Sequence, residues 1–144
     1  MPSSSASSER ETAEAGARLA TTLPPGAVVY VEGELGAGKT AFVRGAAAAL
    51  GVSEQVTSPT FAVAHLYRGR EGAVAHLDLY RAARLADEDW ADLEPYFESP
   101  RAAFVEWPAA GHGVLPPADV RVRIEVEGDE RRRIEVEFAH ERSS

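Results

Sequence analysis

Gly33-Glu34-Leu35-Gly36-Ala37-Gly38-Lys39-Thr40 reads G-x-x-x-x-G-K-[ST], the pattern of a phosphate-binding P-loop. Ahead of it, Ala27-Val28-Val29-Tyr30-Val31 is a short apolar run with β-branched and aromatic residues, as a buried strand requires. Behind it, Phe42, Val43, Ala46, Ala47 and Leu50 recur at helical spacing, and Gly51 stands where a helix C-cap belongs. The motif thus has the strand–loop–helix context that gives it physical meaning. Glycines let the backbone wind around a phosphate so that successive N–H groups point inward as a nest. The helix that follows presents its positive end to the anion. Lys39 brings a mobile point charge to the terminal phosphates, and Thr40 offers a hydroxyl to Mg²⁺. With Ala41, the residue that follows, these eight residues make up the candidate nucleotide site.

The chain has 144 residues, 44% of them hydrophobic and 26% charged, the balance of one soluble domain with a real core. Its net charge of −8 argues against a basic nucleic-acid footprint over the whole surface. The absence of cysteine excludes disulfides and thiolate metal sites and fits a reducing compartment. No apolar run approaches the roughly 18 residues of a membrane span, and Met1 to Ser8 lacks a signal-peptide core. The expected location is the cytoplasm.

Residues 1–7 read as a disordered, Ser-rich tail, and residues 8–140 as one domain. Ser8-Glu9-Arg10-Glu11 fits a capping box with Ser8 as N-cap and Glu11 at N3. A helix should run from there to about Thr22, with Thr12, Gly16, Leu19, Ala20 and Leu23 on one face, until Pro24-Pro25-Gly26 stops it. After the P-loop helix, residues 51–60 form a loop ending in Thr57-Ser58-Pro59-Thr60, three hydroxyls around a proline. Taken alone that is a polar turn. In P-loop proteins, the segment after the first helix often carries a switch that senses the γ-phosphate.

Phe61–Tyr67 and Ala73–Leu79 read as two strands of a hairpin joined by Arg68-Gly69-Arg70-Glu71-Gly72. Asp87 to about Phe97 is an acidic helical stretch with an interruption expected near Pro95, and Ala102–Trp107 another buried strand. Residues 109–119 are a Gly/Pro loop. Val120, Val122, Ile124 and Val126 then alternate inward against charged neighbours, and Ile134, Val136 and Phe138 alternate back, as in a half-exposed antiparallel hairpin. Helices between successive strands are too few for a doubly wound parallel sheet. The expected fold is α/β: a single P-loop NTPase-like domain with a mixed, partly antiparallel sheet flanked by helices.

Phosphoryl chemistry needs an acidic residue beside Mg²⁺, usually at the end of an apolar strand. Asp78 and Glu106 both qualify, and spacing does not rank them. Read separately, either is as readily a surface carboxylate. If the strand continues, His76, Asp78 and Tyr80 share one face. His76 alone is a packed histidine more readily than a ligand. Arg81 is a candidate cis cation for the transition state or a plain surface arginine, and Trp107 either stacks on a base or fills the core.

Four blocks occur in order: the P-loop, Ser58-Pro59-Thr60-Phe61, His76-Leu77-Asp78-Leu79-Tyr80-Arg81, and Val105-Glu106-Trp107-Pro108. Together they closely resemble the TsaE (YjeE) family of small bacterial P-loop ATPases, over about residues 8–138. The P-loop alone is shared by many families; the four blocks together are specific. The resemblance implies ATP as the nucleotide, Mg²⁺ held by Thr40 and Glu106, and Asp78 near the γ-phosphate. It makes Thr57, Ser58, Pro59 and Thr60 a switch loop and places Thr12 near the adenine. It implies work with TsaD and TsaB in threonylcarbamoyladenosine modification of tRNA, with tRNA met only through that complex and no membrane. ATP hydrolysis would reset the complex between turnovers, while TsaD carries out the transfer. The chain departs from the family at Trp90-Ala91-Asp92-Leu93, where Glu-Leu-Gly is common.

The alternative is a small-molecule kinase of the P-loop class. Such enzymes carry an arginine-bearing lid, and here the segment from Arg81 to Phe97 holds only Arg81 and Arg84 among many acids. A GTPase is disfavoured because the chain has no Asn-Lys-x-Asp stretch. A third reading, an adaptor gated by ATP that barely hydrolyses it, shades into the family role.

Overall fold

The computed structural model describes residues 3–34, 36–56, 64–80, 91–111, 113 and 115–139. Seven strands form one mixed sheet: β1 (Ser3–Ala6), β2 (Ala27–Glu32), β3 (Ala64–Arg68), β4 (Ala73–Asp78), β5 (Ala102–Glu106), β6 (Val120–Val126) and β7 (Arg132–Phe138), in the order β1-β7-β6-β2-β5-β4-β3. The central ribbon β6-β2-β5-β4 is parallel, and the outer pairs β3–β4, β6–β7 and β1–β7 are antiparallel. This is the expected mixed α/β fold. The inner parallel strands β2, β4 and β5 are buried almost throughout because both faces are covered, whereas β6, which also pairs with β7, alternates buried and exposed residues.

One face of the sheet is covered by α1 (Glu9–Ala20) and α2 (Lys39–Ala49). Val29, Val31, Val74, Phe104, Val122 and Ile124 pack there against Leu19, Phe42, Val43 and Ala46. The other face buries Val28, Tyr30, Ala75, Leu77, Ala103 and Val105 beneath Leu93, Tyr96 and Phe97. Residues 91–93 are helical and pass into a 3₁₀ turn at Glu94–Phe97, so the described part of the expected acidic helix is present and tightens at Pro95.

Both helices follow their local signals. Ser8 caps α1 by accepting the Glu11 N–H at 3.1 Å, but the Glu11 carboxylate takes the Ser7 N–H at 2.7 Å rather than that of Ser8, so the reciprocal half of the box is shifted by one residue. At the end of α2, Gly51 N–H bonds to Ala48 O and Val52 N–H to Ala47 O, a Schellman closure that the positive φ of Gly51 (91°) permits. The helices touch backbone to backbone. A Cβ on Gly45 would stand 1.8 Å from the Ala13 carbonyl oxygen, and one on Gly16 would stand 2.0 Å from that of Phe42. Thr12, Gly16, Leu19, Ala20 and Leu23 are all buried, as their shared helical face requires.

Two expectations are corrected. The tail at residues 1–7 is not wholly disordered, because Ser3–Ala6 forms edge strand β1 in register with Arg132–Glu135 of β7. Main-chain bonds need no apolar side chain, and only Ala6 of the strand is buried. Val126 does not turn inward; it is 40% exposed at the turn end of the hairpin, where it pairs with Arg132.

Candidate functional site

The site lies where β2, β4 and β5 end together, outside the carboxyl ends of the parallel strands, where open α/β sheets place their chemistry. β2 runs into the P-loop, which feeds α2 through Gly38. That residue has φ 106°, a backbone conformation that favours glycine, and no side chain caps this end of α2. The positive end of the α2 dipole therefore faces the loop, the arrangement that attracts an anion.

Lys39 is folded back into the loop. Its ammonium donates to Gly33 O and Glu34 O, each at 2.8 Å, and sits 4.4 Å from the centre of the Trp107 ring. Burial pushes this amine below the ordinary lysine range, against the opposing pull of Glu106, Asp78 and Glu34. Trp107 itself adopts φ 59° and leans on Tyr80, ring centres 4.9 Å apart. So Trp107 both packs against the core below it and roofs the P-loop lysine.

Parallel register places Asp78 of β4 directly opposite Glu106 of β5. Spacing left the two carboxylates unranked; their contacts separate them. Glu106 is 2% exposed, and its Oε2 accepts the Thr40 hydroxyl at 3.0 Å and lies 2.7 Å from Nε2 of the buried His76. His76 thus pins the carboxylate toward α2, while its Nδ1 has no partner among the described residues. Asp78 is only half-buried and accepts the Tyr80 N–H at 3.1 Å. That contact turns the chain out of the strand. His76 and Asp78 share a face, and Tyr80, 45% exposed, does not continue it.

On the opposite side of the loop, Thr12 lies 3.5 Å from where a Cβ on Gly38 would stand, and its hydroxyl donates to Ser8 O at 3.2 Å. Ser8, Glu9, Thr12, Gly36, Ala37, Gly38 and residues of the β6–β7 turn line a cleft of about 290 Å³ there. The α1–α2 backbone contact holds Thr12 at this spot. Leu35, the switch-loop residues Thr57–Thr60 and Arg81 lie outside the described residues.

Sequence reading missed Arg132. Its Nε donates to Ala37 O at 3.0 Å and its Nη2 to Gly36 O at 3.3 Å, clamping the crest of the P-loop from β7. Nothing local marks it among the three consecutive arginines 131–133, because its partners are main-chain carbonyls.

The fold and the site define a P-loop α/β protein whose loop serine/threonine position meets a strand-end carboxylate. The family model for the threonylcarbamoyl adenosine biosynthesis protein TsaE matches residues 6–134, and the chain belongs to that family. It is 37% identical over 131 residues to the Treponema pallidum protein named tRNA threonylcarbamoyladenosine biosynthesis protein TsaE, covering 90% of this chain and 95% of that one. Identity to the Haemophilus influenzae protein of the same name is 36% over 104 residues, 72% of this chain and 66% of that one. The crystal structure of Bacillus subtilis YdiB superposes with a TM-score of 0.72 at 29% identity, over 92% of this chain and 82% of that one. Among the described residues no helix is long and apolar enough to cross a membrane.

Proposed function

We propose that this chain binds and hydrolyses ATP as an accessory protein of tRNA threonylcarbamoyladenosine biosynthesis, acting in the cytoplasm on a complex of TsaD and TsaB. The observation that carries the reading is the 3.0 Å contact between Thr40 and Glu106. It joins the last residue of the P-loop to a buried strand-end carboxylate, the pair from which a P-loop protein draws its protein ligands for Mg²⁺.

The donor set fits that ion. Mg²⁺ prefers hard oxygen and is commonly held by one or two carboxylates together with substrate phosphates. Thr40 and Glu106 supply a hydroxyl and a carboxylate, and no cluster of three His, Cys, Asp or Glu side chains competes among the described residues. Bound there, the ion would neutralise charge on the β- and γ-phosphates. The chain's own groups do the rest. The loop and the α2 N-terminus cradle the phosphates, and Lys39 exchanges its carbonyl partners for phosphate oxygens. Asp78, outside the Glu106 cluster, would orient an attacking water. Thr12 and its cleft take the nucleoside.

TsaD would carry out transfer to tRNA, and ATP turnover here would reset the complex. Residues 57–60 would serve as the switch. The competing reading, a small-molecule kinase, demands an acceptor pocket and stimulation by a small acceptor rather than by proteins. The test is equilibrium binding of ATP with Mg²⁺ to the parent and to Lys39→Ala. The proposal expects binding by the parent and its loss in the variant. Equal binding by a folded Lys39→Ala protein would contradict it.

A further inference from the structure

Gly36 and Gly38 both have positive φ, 80° and 106°, so the crest of the P-loop is built from residues whose own sterics hold it weakly. Something outside the loop has to fix its peptide planes. Arg132 is bonded where that restraint is needed. Its Nε and Nη2 take the carbonyls of Ala37 and Gly36, and its Nη1 takes those of Gly128 and Arg131 in the β6–β7 turn. The strand that carries it is held on both sides, Arg132 standing opposite Val126 of β6 and Ala6 of β1.

In a planar trans peptide the N–H points away from its carbonyl. A guanidinium that holds the carbonyls of Gly36 and Ala37 outward therefore turns the N–H groups of Ala37 and Gly38 to the inner side of the loop. The Ala37 N–H closes on Glu34 O at 3.0 Å, within the loop itself, which leaves the Gly38 peptide as the one whose N–H this restraint aims at a phosphate. A cation on these carbonyls also polarises the same peptides and strengthens their N–H ends as donors. We propose that Arg132 is a positioning residue for phosphate: from the β6–β7 turn it sets the donor orientation of the P-loop without touching the nucleotide's phosphates itself. The inference rests on the nucleotide-binding reading above.

The test compares Arg132→Met and Arg132→Lys with the parent, titrating each full chain with ATP plus Mg²⁺ and, separately, with inorganic tripolyphosphate. Arg133→Met serves as control, since that neighbouring guanidinium pairs with Glu125, Glu127 and Glu135 instead. Folding is followed by circular dichroism, and affinity is read on the folded fraction. The proposal expects Arg132→Met to lose affinity by about tenfold or more, in the range that hydrogen bonds to a charged group are worth. The loss should be equal for ATP and tripolyphosphate, smaller in Arg132→Lys, and absent in Arg133→Met. Unchanged affinity for both probes would overturn it. So would a loss for ATP alone, which would assign Arg132 to the nucleoside. A parent protein that binds neither probe would refute the nucleotide reading itself.

Discussion

The Thr40 hydroxyl donates to Glu106 Oε2 at 3.0 Å, and that same oxygen lies 2.7 Å from Nε2 of a fully buried His76. One carboxylate oxygen thus links the phosphate loop to the sheet. Glu106→Ala is expected to weaken nucleotide binding in Mg²⁺ more than in EDTA, because a metal ligand matters only when the metal is present. Titrating a fluorescent ATP analogue under both conditions checks this. An equal loss would assign Glu106 to structure alone. The variant should also lose roughly 1–3 kcal/mol of stability, since His76 Nε2 is left buried without its partner.

Asp78 stands opposite Glu106 in register but shares none of its three-residue cluster. Asp78→Ala should lower turnover by on the order of tenfold to a hundredfold while changing ATP affinity little, as loss of a water-orienting group does. Parallel changes in affinity and turnover would place Asp78 with the metal instead.

Gly45→Ala tests the scaffold. Its Cβ would meet backbone, the carbonyl of Ala13 at 1.8 Å, and backbone does not yield as a flexible side chain does. Overpacking of this kind costs about 1–3 kcal/mol or more. Urea unfolding should show that loss, and nucleotide affinity should fall with it because α1 carries Thr12 to Gly38. Unaltered stability would mean that the helices separate easily.

Tyr30 gives a pH signature away from the nucleotide. Its phenol donates to Pro116 O, and burial raises its pKa above 10.0, with Arg121 pulling the other way. A group with a raised folded pKa contributes stability that is complete below its unfolded value and is lost as pH climbs through the folded one. The parent should therefore lose stability above about pH 10, the unfolded tyrosine value. Tyr30→Phe should be about 1 kcal/mol less stable at neutral pH and should lose less of its remaining stability on the alkaline side. Denaturation at pH 7 and pH 10.5 reads both effects. An identical alkaline loss in parent and variant would remove Tyr30 from the account.

What the sequence disclosed was mostly local. The P-loop, the Ser8 cap and the Gly51 stop are each written in a few adjacent residues, and the central strands announce themselves as apolar runs. The rest depends on distant chain. Ser3–Ala6 carries one buried side chain and becomes a strand only because β7 offers an open edge. Asp78 and Glu106 look alike until β4 and β5 lie side by side and Thr40 chooses between them. Trp107 divided between core and site because it belongs to both. Arg132 binds carbonyls, which every residue has, so no pattern of side chains could have marked it.

From the proposed role it is expected that the chain hydrolyses ATP slowly alone and faster on its protein partners. Phosphoryl transfer needs positive charge at the γ-phosphate, and an arginine finger supplies roughly 10³–10⁵ in rate. Lys39 is the only lysine in the chain, and no arginine lies within the P-loop or residues 51–60. Either partner docking brings Arg81 into place, or the partner supplies the charge or closes the switch loop. A net charge of −8 should also make association with a basic partner surface weaken as salt rises. The most direct measurement is single-turnover ATP hydrolysis at fixed salt, with and without the TsaD–TsaB pair. Slow hydrolysis alone and clear stimulation by the pair are expected. A fast isolated enzyme, or a rate the pair leaves unchanged, would contradict it.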